Sequence, residues 1–556
     1  MNIKDINSLV ELFFEKKKTL VGKKPFLKSL NPNHSHQYSL EEVSEKILQF
    51  SNQIKKLINK GDRCLLLSEN RPEWLITDLA IMNAGGITVP IFTTYAQNDY
   101  EYIINDCLPS LIIVSNNIQF KKINKFINNI KIISFEKLGS NSLILENIFK
   151  KSFKDNINNN LKRETPACII YTSGTSGNPK GVVLSHGGIL SNCQGALSLL
   201  KPLIKKKIPI FLTWLPLSHS YEHTVQFIQI LIGAKIFYAE SLEKLIPNMV
   251  KAKPTIMTAV PRFYQNLFTK ININFSKQTG LKKKLIFHTI KLGNKILKNE
   301  NLKIKEKLIN FICEITVRKK IQKQFGGNLQ AFISGGGALD KKIGEFLNAV
   351  GLPTLQGYGL TEASPVVSCN LPNLVKVETV GPPFSTNKVK IANDGEILIK
   401  GENVMLGYWN KKKETDEVIK SGWLHTGDIG EIDSNGYLKI TDRKKDIIIN
   451  SGGDNISPSK VENLLCLNQF IKQAFVYGDR KNYLVAILIV ENDKNKIEIN
   501  EIIEKLNKDL TLIEKIKKFL IIKEEFTIEN RMLTPTLKLK RKEIIKNYKE
   551  KLEKLY

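Results

Sequence analysis

The chain has 556 residues, 42% hydrophobic and 25% charged, which is too long for a single core and too apolar for a disordered or collagen-like chain. No run reaches 18 uninterrupted apolar residues, so a simple membrane span is not expected, and the start MNIKDINSLVELFF lacks the pattern of a signal peptide. The formal net charge of +29 is mostly lysine spread along the chain, with neither an aromatic-basic RNA motif nor zinc-finger spacing, so compositional drift is the favoured cause and no nucleic-acid partner is expected.

Up to about residue 140, short apolar runs alternate with helical patterns. CLLLS at 64–68 reads as a buried strand, Pro72–Asn83 as a helix stopped by Gly85 and Gly86, and ITVPIF, LIIVS (111–115) and KIISF (131–135) as further strands. Such alternation predicts a parallel, doubly wound sheet. The theme resumes after 167 with ACIIY, GVVLS, PIFLTW, AKIFYA, TIMTAV and LQAFIS, a second α/β layer. Val225–Ala239 reads as a buried helix followed by a strand. Residues 276–325 interrupt the pattern with lysine-rich helices, on which Leu285, Ile286, Ile290, Ile296 and Leu297 are expected to share one face. An ordinary solvated helix pair is the favoured reading there, and a membrane-surface helix the sharper one. After about 380 the chain turns β-rich, with an Asn-Gly hairpin signal in EIDSNGYLKI. A domain boundary is expected near Asp442, giving units 1–441 and 442–556.

Seven scattered cysteines, odd in number and without a Cys-x-x-Cys pair, fit a reducing cytosol. The stretch 171–181, YTSGTSGNPKG, gathers three glycines, four serine and threonine hydroxyls and one lysine between two predicted strands. Backbone N–H groups, short hydroxyls and a fixed positive charge together suit phosphate. It is not a Walker A loop: Pro179 stands where the second glycine belongs, and Gly181 where the magnesium-binding hydroxyl belongs.

YTSGTSGNPKGVVLSH resembles the signature loop of the adenylate-forming enzymes. SGGGAL (334–339), QGYGLTEASP (356–365), GWLHTGDIG (422–430), DRKKDIIINSGGDNISP (442–458) and LTPTLKLKRKE (533–543) follow in family order. NRPEWLITDLAIMNAGGITVPIF, LPLSHSYEHT and LTPTLKLKRK are most similar to the long-chain fatty-acyl-CoA synthetases. The resemblance implies a large N-terminal domain of two doubly wound α/β subdomains plus a small β-barrel-like one, followed by a small mobile α+β domain. It implies ATP, Mg²⁺ and coenzyme A, with acyl-adenylate formed first and fatty-acyl-CoA second.

It also implies site residues. Thr172, Ser173, Gly174, Thr175, Ser176, Gly177 and Lys180 would cradle phosphates, joined by Gly336, Gly337, Gln356, Gly357 and Gly359. Tyr358 would stack on adenine, Thr361 contact the α-phosphate, and Glu362 hold Mg²⁺, an oxygen-ligand role that suits a carboxylate beside a triphosphate. Asp428 would meet the ribose, Arg443 the ribose or phosphate, and His219 face the acyl region. Asp442 would be the hinge, and Lys445, Gly452 and Gly453 would serve the thiol step. Lys538 would be the catalytic lysine, although Lys540, Arg541 and Lys542 crowd it.

HSYEH at 219–223 also fits the zinc-peptidase pattern H-x-x-E-H, a reading ranked far behind. An acyl-carrier-protein synthetase is the close alternative, and a non-catalytic basic nucleic-acid or membrane-binding protein the remote one. The expected setting is cytoplasmic, with peripheral contact to anionic membrane.

Overall fold

The apolar runs 64–68, 111–115 and 131–135 become adjacent parallel strands, Arg63–Leu67, Leu111–Val114 and Lys131–Ser134. The computed structural model describes residues 2–20, 25–127, 129–138, 143–150, 156–172, 178–204, 208–491, 496–534 and 537–556.

The first sheet has eight strands. Its parallel part includes Ile87–Ile91, and Pro166–Thr172 joins it through Thr88 and Cys168. At the phosphate-loop end the parallel expectation fails: Pro166–Thr172 and Lys180–Ser185 form an antiparallel hairpin with Thr172 opposite Lys180. Seven intervening residues are too few for the crossover that a parallel pair needs. Gly407–Tyr408 then pairs antiparallel with Val182 and Val183 at the sheet edge.

The second sheet also has eight strands. Lys235–Tyr238, Ile210–Thr213, Ile256–Ala259, Ala331–Ser334 and Thr354–Gly359 run parallel, and Val366–Cys369 caps them antiparallel. Its other edge is Leu27–Ser29 with Gln37–Tyr38, segments the alternation pattern did not reveal. Glu73 ties this edge to the first layer, accepting from Arg71 Nε at 2.8 Å and Tyr38 Oη at 2.8 Å and meeting His36 Nδ1 at 2.5 Å. These partners outweigh burial and pull its carboxyl down to about 2.

The helix Pro72–Asn83 is buried along its whole length, and Val225–Ala239 divides as expected into the end of the helix Ser220–Leu231 and the strand Lys235–Tyr238. One apolar core, including Leu66, Ile170, Phe227, Ile236, Ile256 and Ile397, joins both α/β layers to the five-stranded antiparallel sheet of residues 388–443. In that sheet the expected hairpin joins Trp423–Ile432 to Leu438–Arg443, with Gly436 at φ +79°.

Helices fill 261–324, but the face expected for Leu285, Ile286, Ile290, Ile296 and Leu297 is displaced. Thr289, Leu292 and Gly293 are the buried residues of Gly280–Leu297, and Ile296 is 46% exposed. The cause is a close helix crossing at Gly293, where a Cβ would stand 2.5 Å from Ala349 Cα.

The C-terminal unit is α+β, with the sheet Ile471–Tyr477, Leu484–Val490 and Ile516–Ile522. Its two apolar clusters draw their buried members from residue 448 onward, so it carries its own core. Across the gap, Leu467 packs against the large unit and Lys342 Nζ meets Asp509 at 2.8 Å.

Candidate active site

The second-layer strand Thr354–Gly359 leaves the core and ends in a turn of 3-10 helix, Thr361–Ala363. Gly359 is required there: a Cβ would stand 2.1 Å from the Pro365 carbonyl oxygen. The turn sets Thr361 Oγ1 3.0 Å from Ser220 Oγ, and the Glu362 carbonyl accepts from Met405 N at 2.9 Å. Glu362 Oε1 accepts from Tyr408 Oη at 2.9 Å, and Lys180 Nζ lies 4.8 Å above the Tyr408 ring. The second Glu362 oxygen has no partner among the described residues, so a hard oxygen ligand of the kind Mg²⁺ takes remains available. Tyr408 was missed by the sequence reading. Nothing local in LGYWN distinguishes it, because its role comes from pairing Gly407–Tyr408 with the strand after the loop.

Asp428 is 4% exposed on the β-rich sheet. Its Oδ2 accepts from Tyr358 Oη at 2.6 Å and its Oδ1 from Arg443 Nε at 2.9 Å. Each oxygen keeps a lone pair for a further donor. Arg443 closes the strand that also contains Asp442, whose carboxyl is raised by burial.

Lys538 comes from the other unit and reaches the same place. The tight turn that bears it is closed by Thr534 N to Lys538 O at 2.8 Å and Lys538 N to Thr534 Oγ1 at 3.0 Å, with Leu537 at φ +62°. Pro535 and Thr536 lie outside the described residues. Lys538 is exposed, yet protein crowds it. Desolvation first, then the Arg443 charge, lower its ammonium to about 8 against the pull of Asp428, Glu362 and Asp446. Arg541, one of the crowding cations, is engaged instead by Glu462 at 2.5 Å.

His219 caps the helix Ser220–Leu231: its Nδ1 accepts from Tyr221 N at 3.2 Å, which leaves the Nε2 tautomer protonated. Burial, then the Lys538 charge, push it down to about 4, so it is neutral at pH 7. Its neighbours in HSYEH diverge. Glu222 accepts from Thr258 at 2.7 Å and His223 donates to Asp78 at 2.8 Å, so the three side chains do not converge on one point.

The remaining expected residues divide. Thr172 opens the hairpin, whereas Ser173, Gly174, Thr175, Ser176 and Gly177 lie outside the described residues. Gly336, at φ +79°, and Gly337 follow the strand Ala331–Ser334, beside the strand that ends at Gly357 and Gly359. The Gln356 side chain is spent on the scaffold, accepting from Leu339 N at 2.7 Å and donating to Thr379 O at 3.2 Å. Lys445, Gly452 and Gly453 are exposed, and the turn bearing the glycines bonds to Lys481 and Asn482 of its own unit rather than to the cluster.

A family described as AMP-binding enzyme matches residues 14–409, and one described as AMP-binding enzyme C-terminal domain matches 445–556. Long-chain-fatty-acid–CoA ligase 5 of Rattus norvegicus is 31% identical, over 99% of this chain and 90% of its own. Long-chain-fatty-acid–CoA ligase FadD15 of Mycobacterium bovis is 28% identical over 90% and 88%. The ATP-bound structure of MatB from Rhodopseudomonas palustris shares the fold, with a TM-score of 0.74 at 20% identity over 98% of this chain and 100% of that one.

Proposed function

We propose that this chain, which belongs to the AMP-binding enzyme family, converts a long-chain fatty acid, ATP and coenzyme A into fatty-acyl-CoA, AMP and pyrophosphate. The observation that carries this reading is the arrival of Lys538, from the small unit, at the Glu362–Asp428–Arg443 cluster of the large one. The relatives' names support the long-chain substrate and coenzyme A as the thiol.

In the first step a carboxylate oxygen of the acid attacks the α-phosphorus of ATP, an O–P bond forms, and pyrophosphate leaves with the electrons of the broken bond. Positioning and charge do most of the work. Lys538 and the neutral His219 would flank the incoming carboxylate, while Thr361 and Lys180 would hold phosphate. Tyr358, Asp428 and Arg443 would hold the adenosine, the hydroxyls of its ribose donating to Asp428. Glu362 would hold Mg²⁺, which supplies charge neutralisation on the phosphates. In the second step the thiol sulfur attacks the acyl carbon, AMP leaves, and the thiol proton passes to solvent. A turn of the small unit about Asp442, with the boundary 441/442, would carry Lys538 out and bring Lys445, Gly452 and Gly453 in. We place the enzyme in the cytoplasm, in peripheral contact with membrane; no helix among the described residues is long and apolar enough to cross one.

Incubation with ATP, Mg²⁺, palmitate and coenzyme A is expected to yield AMP and palmitoyl-CoA. Acyl-adenylate with no thioester unless a carrier protein is added would favour the carrier reading. No acid-dependent pyrophosphate exchange with any carboxylic acid would overturn both.

Two results follow from the geometry. Because Lys538 loses its proton near 8, kcat/KM for the adenylation half-reaction should fall as pH rises through about 8, and Lys538→Arg should remove that limb, since guanidinium stays charged. Tyr408→Phe removes the donor that orients Glu362, so the Mg²⁺ concentration for half-maximal exchange should rise a few-fold to about tenfold.

A further inference from the structure

The helix Ile304–Cys313 turns its apolar face outward. Ile304, Leu308, Phe311, Ile312 and, in the following turn, Ile315 form one stripe, 86%, 64%, 62%, 41% and 46% exposed. The inward side is closed by Cys313 and by Glu306, bonded to Lys295 at 2.8 Å on the neighbouring helix Gly280–Leu297. That neighbour adds Leu281 and Phe287, 78% and 63% exposed. Nine of the 24 exposed large hydrophobics among the described residues fall between 273 and 315, so the apolar surface is concentrated rather than scattered.

Charge supplies the partner's chemistry. Residues 277–323 hold thirteen lysines and one arginine against three glutamates. Two of those glutamates, Glu306 and Glu314, are already paired with Lys295 and Arg318. Lys303, Lys305 and Lys307 flank the stripe and are exposed. An apolar stripe edged by long cations matches an anionic bilayer in both layers: hydrocarbon takes the stripe, and lipid phosphates take the ammonium groups at the ends of apolar stems.

We propose that the outward face of Ile304–Cys313, with Leu281 and Phe287 beside it, docks this enzyme on an anionic lipid surface. The proposal rests on the fatty-acid reading for its benefit alone: a long-chain acid partitions into lipid, so docking raises the substrate concentration the enzyme meets.

The test uses the full chain with vesicles of phosphatidylcholine, alone or with phosphatidylglycerol, read by co-sedimentation beside pyrophosphate exchange on a soluble acid. Wild type should bind the anionic vesicles, and binding should weaken several-fold between about 0.05 and about 0.3 M salt. Leu308→Ser with Phe311→Ser should lower vesicle affinity at least about tenfold. Lys303→Gln with Lys305→Gln and Lys307→Gln should do so on anionic vesicles only. Exchange should be unchanged in both, since the altered side chains are exposed and none belongs to the cluster. Variants that bind like wild type would overturn the assignment of this face. Wild type that exchanges pyrophosphate but ignores every vesicle would overturn membrane docking while sparing the ligase reading. Vesicle binding without exchange would support docking and sink the ligase. A wild-type dimer dispersed by the Leu308/Phe311 variant in sedimentation velocity would make the face a self-interface and overturn the proposal.

Discussion

Lys538→Ala should lower fatty-acid-dependent exchange of pyrophosphate into ATP by about 10²- to 10³-fold, the range for removing one preorganised electrostatic group from a reacting centre. The lysine stands where charge accumulates. It feels the carboxylates Glu362, proposed to hold the metal, and Asp428, proposed to hold the nucleotide, and the second cation Arg443. Its turn is closed by backbone and Thr534 hydroxyl bonds that the substitution leaves in place, so thermal unfolding should stay near wild type. The step proposed for it is the first one. Thioester formation from added acyl-adenylate should therefore fall by far less than exchange, and an equal loss in both would contradict the role assigned here. Lys540→Ala and Lys542→Ala should exchange within a few-fold of wild type. A larger loss at Lys540 would mean that another cation of the crowded run does this work.

The difference between what local sequence carries and what topology carries is clearest at the two tyrosines of the site. Tyr358 was expected at the nucleotide because QGYGLTEASP resembles a motif of the adenylate-forming enzymes, and the structure sets its hydroxyl on Asp428. Tyr408 had no such signal: it meets Glu362 because its short strand adds to the edge of the first sheet, 226 residues after Val182. Strands were legible where apolar runs were short and bounded by turn residues, and Pro72–Asn83 was legible to the residue. The antiparallel hairpin at the loop was not, since apolar runs buried on both faces read alike whichever way the chain returns. Leu27–Ser29 was missed because three residues hold too little periodicity, and its place is fixed by Lys235–Tyr238, two hundred residues later. In the 280–297 helix the apolar residues expected to share one face do not by themselves mark the buried one, which includes the glycine crossing at Gly293.

The same limit hid the buried pair Asp78–His223. Neither residue suggests the other in sequence, yet both are 0% exposed and bonded at 2.8 Å between the helices Pro72–Asn83 and Ser220–Leu231. His223 Nδ1 lies 3.7 Å from Cys168 Sγ on the strand Pro166–Thr172, and the rings of Trp74 and Phe227 close the site edge-on at 5.4 Å. Burial opposes the imidazolium, but the Asp78 charge more than offsets it and lifts His223 to about 10. A folded value above the ordinary 6.5 means that the proton is bound more tightly in the native state. The pair's contribution is therefore fully present below about 6.5 and lost as pH rises through about 10. His223→Ala should cost about 3–5 kcal/mol, because it strands a buried carboxylate whose Oδ1 already lacks a partner among the described residues. Asp78→Asn should cost less, about 1–3 kcal/mol, because the imidazole can then shed its proton. Apparent Tm measured from pH 6 to 10 checks both: wild type should lose stability across the interval and His223→Ala should show a flatter profile. A substitution that left apparent Tm unchanged at pH 7 would show that the pair contributes nothing to holding together the two layers on which His219 and the loop depend.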